Sequence, residues 1–348
     1  MKNKGRRIVR NVFLSIAGLI IVTVLTAAVI LSGRIATMLS LRHVGDDLYT
    51  MNYHKNYHLD KALSAGVRSG EDLLSFICDE MFFGYEVDAN FSKYGCAAFL
   101  TETPEGNYLV GRNFDLEATD TLCLYTHPKD GYASISSIST DMIMVGEGND
   151  YSTTSFYGRA ALLAAPYMGV DGINEKGLVA SLLDTDRHGE THMNTENPDI
   201  NVTMAIRLLL DRAATVDEAL SLLEQYDLNS EHGWTQHIFI ADRSGSYAIA
   251  EFYKREMRVV RYPVCTNFNM SGQSMKGEFS GYCSRFDLVD NALKEKPENT
   301  AEEAMKLLEA IKQDGTEWSA VFDMTDFSAD YAVNREYDKV YHLEPEDF

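Results

Sequence analysis

The sequence predicts an α+β layered domain, with sheets packed face to face and helices outside, behind one membrane-crossing helix. Three patterns point to it. Strand-like blocks bounded by turn signals recur from Cys96 to Leu343. Helical patterns are grouped between those blocks instead of alternating with them one by one. From Val12 to Ser32 no residue is charged, and Leu, Ile, Val and Ala dominate. At about 1.5 Å per residue that run crosses a bilayer core.

The chain has 348 residues, of which 45 % are hydrophobic and 24 % charged, enough for one large domain with an appendage. Its formal charge is −21, and residues 1–34 hold six basic residues (Lys2, Lys4, Arg6, Arg7, Arg10, Arg34) and no acid, which leaves −27 on the rest. A body that acidic argues against nucleic acid as a partner, because phosphate binding needs clustered Lys and Arg. The basic cluster precedes the apolar run, so the positive-inside rule keeps residues 1–11 cytoplasmic and sends the body out of the cell. A cleaved signal peptide is the rival reading. Its apolar region runs only ~7–15 residues, however, and no clean small-x-small site follows Ala27 and Ala28. The expected organisation is a cytoplasmic end and membrane anchor over 1–33, with residues 12–32 in the cell membrane. A stalk, propeptide or packed arm follows over 34–95, then a catalytic-type domain over 96–348. Five cysteines, an odd number without a CxxC pair, indicate neither a disulfide framework nor a zinc site.

Residues 34–95 read as polar and helix-leaning. Between Asp60 and Glu80 the apolar Leu63, Val67, Leu73, Leu74 and Ile77 fall near helical spacing, against Gly66 and Gly70. From Cys96 the pattern turns to strands: Cys96–Glu102 and Tyr108–Phe114 flank the turn signal Pro104-Glu105-Gly106-Asn107. Residues 171–183 read as a turn followed by a buried strand. Val202–Arg212 carries an apolar stripe, and Thr215-Val216-Asp217-Glu218 is a capping box before a helix over Ala219–Tyr226. Strands return at His237–Asp242, Tyr247–Phe252 and Arg258–Tyr262, and Thr300-Ala301-Glu302-Glu303 caps a helix ending near Lys312. The tail alternates again at Ser319–Met324, Tyr331–Asn334 and Lys339–Leu343.

Cys96 carries the chemistry. It directly follows Gly95 and opens a hairpin whose return strand, Gly111-Arg112-Asn113-Phe114-Asp115, supplies a cation and a carboxylate. Scission of the Gly95–Cys96 bond would turn the cysteine's own α-amine into a base beside its thiol. Such an amine titrates at ~7.7–8.0, suited to general-base work near neutral pH. A neighbouring cation favours the thiolate, so Arg112 is expected to lower the thiol pKa from its ordinary ~8.5, and Asp115 to hold the amine. A buried strand cysteine beside a surface Arg–Asp pair fits the same spacing, so these residues alone leave both readings open.

Further motifs follow in order: Asp171-Gly172-Ile173-Asn174-Glu175-Lys176-Gly177-Leu178, Thr266-Asn267, Ser284-Arg285-Phe286, and Thr316-Glu317-Trp318-Ser319-Ala320-Val321-Phe322-Asp323. With Cys96-Ala97-Ala98 and the Arg112–Asp115 run, the chain from Cys96 to about Leu343 resembles the choloylglycine hydrolase family, linear-amide hydrolases of the N-terminal-nucleophile superfamily. The family includes bile salt hydrolases and penicillin V acylases, with acid ceramidase and isopenicillin N acyltransferase as distant branches. The resemblance implies a four-layer αββα sandwich and a small N-acyl amide as substrate, with no cofactor and no metal. It leaves homo-oligomerisation open. It also implies Cys96 as nucleophile with its α-amine as base, Arg112 tuning the thiolate, Asp115 positioning the amine, Asn267 donating to the oxyanion and Arg285 ordering the site. Two departures stand out. Asp184 takes the place of an asparagine of bile salt hydrolases, and an ionised carboxylate cannot donate to an oxyanion. An acidic residue there is similar to the acid ceramidase branch. Ninety-five residues also precede the cysteine, which resembles the self-cutting precursors of the acyltransferase branch.

Other readings carry less. His188 and His192, with Asp184, Asp186 and Glu190 nearby, lack a metal-binding order, and His54 and His58 fall in the leader. Gly146-Glu147-Gly148-Asn149-Asp150 lacks the lysine of a phosphate loop. None of the nine histidines lies in a motif that pairs it with Cys96. Two alternatives to hydrolysis remain: transfer of the acyl group to an amine, and a non-catalytic domain that binds an acylated ligand.

Overall fold

The computed structural model of the chain describes residues 2–85, 88–89, 95–117, 119–188, 191–230, 234–253, 255–274 and 279–348. Helix α1 (Lys2–Ser40) carries the apolar run without a break. Over Asn11–Ser40 it is long and apolar enough to cross a membrane by length and composition, a test that a signal sequence also passes. Within the helix-leaning segment behind it lie two strands that sequence reasoning did not find: β1 (Arg42–Gly45) and β2 (Leu48–Tyr53) form an antiparallel pair. Leu48, Met51 and Tyr53 are buried along β2, which is what places it in a sheet. The helical spacing between Asp60 and Glu80 belongs to two helices, α2 (Leu59–Ala65) and α3 (Gly70–Phe82). Gly66, at φ 68°, ends the first, and a capping box of Ser69 and Asp72 starts the second.

The hairpin β3 (Gly95–Glu102) and β4 (Tyr108–Asp115) turns where the sequence placed it, with Gly106 at φ 86°. Strands β5 (Thr121–Thr126) and β6 (Ser134–Ser139), short helix α4 (Phe156–Ala161), and strands β7 (Asp171–Asn174) and β8 (Val179–His188) follow. Next come β9 (Thr191–His192), β10 (Asp199–Asn201), helices α5 (Val202–Arg212) and α6 (Val216–Leu223), and strand β11 (Asp227–Ser230). Strands β12 (Trp234–Ala241), β13 (Tyr247–Tyr253), β14 (Glu256–Val260) and β15 (Val264–Thr266) lead to helices α7 (Ser271–Ser274), α8 (Ser284–Glu295) and α9 (Ala301–Ala310). The chain closes with β16 (Thr316–Asp323), β17 (Ser328–Val333) and β18 (Tyr341–Leu343).

Two large sheets result. Nine strands run in the order β1-β2-β5-β6-β7-β8-β12-β13-β14, and six in the order β15-β3-β4-β16-β17-β18; β9, β10 and β11 form a small third sheet. Strand β3 meets β8 across the interface of the large sheets. Helix α5 packs on β7 and β8, and α9 on β4 and β16, which covers the outer faces. The order is therefore α/β/β/α, as the sequence predicts. Burial on both faces explains why the inner strands read as continuous runs: every residue of β7 and all but one of β16 are buried.

Candidate functional site

The site forms where the first turn of β3 meets β4, β8 and the end of β15. Pairing of β3 with β4 sets Gly95 opposite Asp115 and Cys96 opposite Phe114. A Cβ on Gly95 would stand 2.8 Å from Asp115 Oδ2, so only glycine leaves room for the carboxylate beside this peptide. Pairing of β15 with β3 sets Thr266 opposite Ala97, which delivers the next residue, Asn267, to the Cys96 backbone. The Cys96 N–H donates to Asn267 Oδ1 at 2.7 Å.

A chain of hydrogen bonds runs on from there. Arg285, at the start of α8, donates through Nη2 to Asn267 Oδ1 and through Nη1 to Asp115 Oδ2, both at 2.6 Å. Thr316 donates its hydroxyl to the other Asp115 oxygen at 2.6 Å. Asn267 Nδ2 donates to the Asp184 carbonyl at 2.6 Å. Asp184 is fully buried on β8, where its Oδ1 accepts from Gln236 Nε2 at 2.9 Å. Cys96, Asp115, Asn267, Arg285 and Asp184 thus occupy one connected network around the Gly95–Cys96 peptide.

Arg112 approaches from the sandwich interior. Its side chain is fully buried, with Nε donating to Asp171 Oδ2 at 3.1 Å and Nη2 to the Leu182 carbonyl at 2.8 Å. The Cys96 thiol points at the same Leu182 carbonyl, with Sγ at 3.8 Å. Asp171 also accepts from Trp318 Nε1 at 3.2 Å, and Trp318 stacks on Phe114 at 4.2 Å. Buried ion pairs rarely stabilise relative to apolar packing, whereas removing one partner costs ~3–5 kcal/mol. The Arg112–Asp171 pair therefore fixes a charge in place.

The expected depression of the thiol pKa is corrected by the surroundings. Burial dominates and pushes Cys96 up to about 12, although Arg112 pulls the other way; Asp115 and Asp184 add to the rise. That burial favours the protonated thiol.

Sequence reasoning did not single out Thr316 or Asp171 as site residues, although both open quoted motifs, and it passed over Gln236 altogether. It also missed a second polar cluster. His237 Nε2 lies 3.5 Å from Cys265 Sγ and His237 Nδ1 lies 3.2 Å from Glu251 Oε1, all three side chains being buried. A histidine does meet a thiol in this fold, but the thiol is Cys265. Within the weighed histidine pair, the His188 side chain, Gly189 and Glu190 lie outside the described residues. Among the described residues no three His, Cys, Asp or Glu side chains gather as a metal site.

Comparisons with known proteins agree with this arrangement of strands. The family model of acyl-coenzyme A:6-aminopenicillanic acid acyl-transferase matches residues 101–332. A penicillin V acylase from Pectobacterium atrosepticum is 30 % identical over 144 residues, 35 % of this chain and 38 % of that protein. The match thus spans well under half of that relative. The solved structure of penicillin V acylase from Agrobacterium tumefaciens aligns with a TM-score of 0.52 at 17 % identity, over 72 % of this chain and 86 % of that one. A mutant of conjugated bile acid hydrolase from Clostridium perfringens aligns with a TM-score of 0.54 at 17 % identity, over 73 % and 93 %. At that identity the two structures establish a shared fold, the α+β sandwich of N-terminal-nucleophile hydrolases.

Proposed function

This chain belongs to the acyl-coenzyme A:6-aminopenicillanic acid acyl-transferase family, and from that premise we propose that Cys96 is its nucleophile, freed by scission of the Gly95–Cys96 bond. Its relatives are amide hydrolases and acyltransferases of the N-terminal-nucleophile type. The reaction is hydrolysis of a linear amide in a small N-acylated molecule. One observation carries this reading: the Asn267–Arg285–Asp115 chain starts on the Cys96 nitrogen and ends beside Gly95, enclosing the bond to be cut.

Scission balances without a cofactor. The Cys96 sulfur attacks the Gly95 carbonyl, the C–N bond breaks, and the nitrogen takes up the proton, which leaves a thioester and a free amine. Water then hydrolyses the thioester to a Gly95 carboxylate and restores the thiol. In turnover the new α-amine takes the thiol proton and the thiolate attacks the substrate carbonyl. The departing amine receives that proton, and water releases the acid. Asn267, which accepts from the Cys96 nitrogen in the uncut chain, holds the amine afterwards together with Asp115, and Arg285 orders both side chains. A donor to the oxyanion is supplied by Asn267 Nδ2, by backbone N–H groups or by a protonated Asp184, whereas an ionised Asp184 accepts from a substrate amine. The α1 helix anchors the domain in the cell membrane, with the site outside the cytoplasm.

The test is intact-mass analysis and N-terminal sequencing of the expressed chain, with amine release from a panel of N-acyl amides. The wild type is expected to begin a chain at Cys96, and Cys96→Ala to stay in one piece and release no amine. A full-length wild-type chain with hydrolase activity would refute the mechanism. Since the matching family model is an acyltransferase, a competing amine added to the assay separates the two outcomes: an N-acylated product marks transfer.

A further inference from the structure

Helix α1 continues past its apolar run and is clamped into the body at once. Gly33 lies so close to the β2–α2 connection that a Cβ there would stand 3.3 Å from both the His54 carbonyl oxygen and Lys55 Cα. One residue on, Arg34 donates through Nε to the Met81 carbonyl at 3.0 Å and through Nη2 to the Glu80 carbonyl at 2.9 Å. Lys55 Nζ donates to the same Glu80 carbonyl at 3.2 Å. The two cations close the carbonyl end of α3, where the unpaired carbonyls and the helix dipole favour positive charge. Arg34 is the first charge after the uncharged run, so the end of α3 is fixed beside the point where that run ends.

At this level the body exposes aromatic rings. Phe83 follows α3 in a left-handed conformation, φ 57°, which a bulky residue rarely adopts. The strain does not serve the core, because Phe83 is 59 % exposed and its ring lies 4.2 Å from the Arg34 guanidinium carbon. Tyr85, two residues on, is 78 % exposed. Aromatic rings beside Lys and Arg at the end of an apolar helix are the composition that settles at a membrane–water interface.

We propose that Phe83 and Tyr85, flanked by Arg34 and Lys55, form a seat in the interfacial layer of the outer leaflet, with the rings at the depth of the lipid glycerol. The inference rests on the reading of α1 as a membrane anchor. Its consequence is a domain held flush on the bilayer in one orientation, with no flexible stalk between.

The test uses the full chain reconstituted in phosphatidylcholine vesicles whose lipids carry a quencher near the headgroup. Trp is introduced as Phe83→Trp or, should that variant misfold, Tyr85→Trp. Tyr282→Trp, exposed beside the site, is the control. After subtraction of the parent emission, the seat variant is expected to lose more than half of its added fluorescence and the control to lose none. An unquenched seat variant overturns the proposal, and so does equal quenching of both, which marks adsorption of the whole surface. An unquenched seat variant that cross-links to a second copy also overturns it and assigns the face to self-association. Carbonate extraction of the same vesicles separates the two readings. Release of the chain overturns the anchor, whereas retention with an unquenched Trp overturns the seat alone.

Discussion

At Cys96 burial acts against the Arg112 guanidinium and wins, which leaves a thiol with a pKa of about 12 in the uncut chain. The α-amine that the proposed mechanism uses in turnover does not exist there, because the Cys96 nitrogen is an amide donating to Asn267. Scission must therefore draw on the small thiolate fraction. Below its pKa that fraction grows about tenfold per pH unit, so the scission rate should climb with that slope between about pH 7 and pH 9 without levelling. Turnover of an amide by the cut enzyme should instead level near the ordinary α-amine range of ~7.7–8.0. Time courses of both, followed by mass spectrometry and by amine release, check the contrast. A scission profile that flattens near neutrality would mean that another group takes the proton.

Among the elements, β12, β13 and β15 converge behind Asn267. Glu251 accepts the Met270 and Ser271 N–H groups at 2.6 and 2.8 Å and Asn269 Nδ2 at 3.0 Å, so it fastens the loop that follows Asn267. Burial works against a charged His237, yet Cys265 and Glu251 outweigh it and raise its pKa to about 10. A histidine raised in the folded state stabilises fully below its unfolded value of ~6.5, and that contribution fades as pH climbs through about 10. Glu251→Gln strands the imidazolium and should cost ~3–5 kcal/mol near pH 7, shrinking toward pH 10. Denaturant melts of both proteins across that window measure it, and a pH-independent gap would rule out the charged pair. This cluster was illegible in the sequence because its residues lie on three separate strands with no shared motif. Local signals did find α5, the β3–β4 hairpin and the caps at Thr215 and Thr300, where pattern and fold agree. They did not find β6, whose Ser-Ile-Ser-Ser-Ile-Ser is buried throughout and looks like a polar loop. Nor did they find α8, which carries Arg285 at its start and has only three buried side chains. The site residues Cys96, Arg112, Asp115, Asn267 and Arg285 came from ordered motifs, and only the fold shows which atoms of each meet.

For the molecule as a whole, the leader is a structural part of the sheet that faces the thiol. Strand β2 runs parallel to β5 over six paired residues from Leu48–Thr121 to Tyr53–Thr126. Parallel strands have no hairpin between them, so cutting the chain at Gly95 leaves this pairing intact. Tyr53 donates to the Leu163 carbonyl at 2.7 Å and Tyr57 to Asp211 at 2.6 Å, while Arg159 reaches back to the Met38 carbonyl at 2.7 Å. Far along the chain, Lys339 pairs with Asp46 at 2.8 Å. Each large apolar side chain buried here contributes ~1.5–3 kcal/mol. Leu48, Met51, Tyr53, Tyr57, Leu59, Leu63, Ile77 and Met81 together outweigh most of the ~4–15 kcal/mol that association of two pieces costs. Scission at Gly95–Cys96 should consequently yield two chains that remain one particle, with the anchor still attached. The cut protein is expected to elute as a single species in mild detergent, to stay on membranes through a salt wash, and to separate only in denaturant. Recovery of the larger piece in the wash would show that the β2–β5 pairing cannot hold the two together, and the domain would then be a released enzyme.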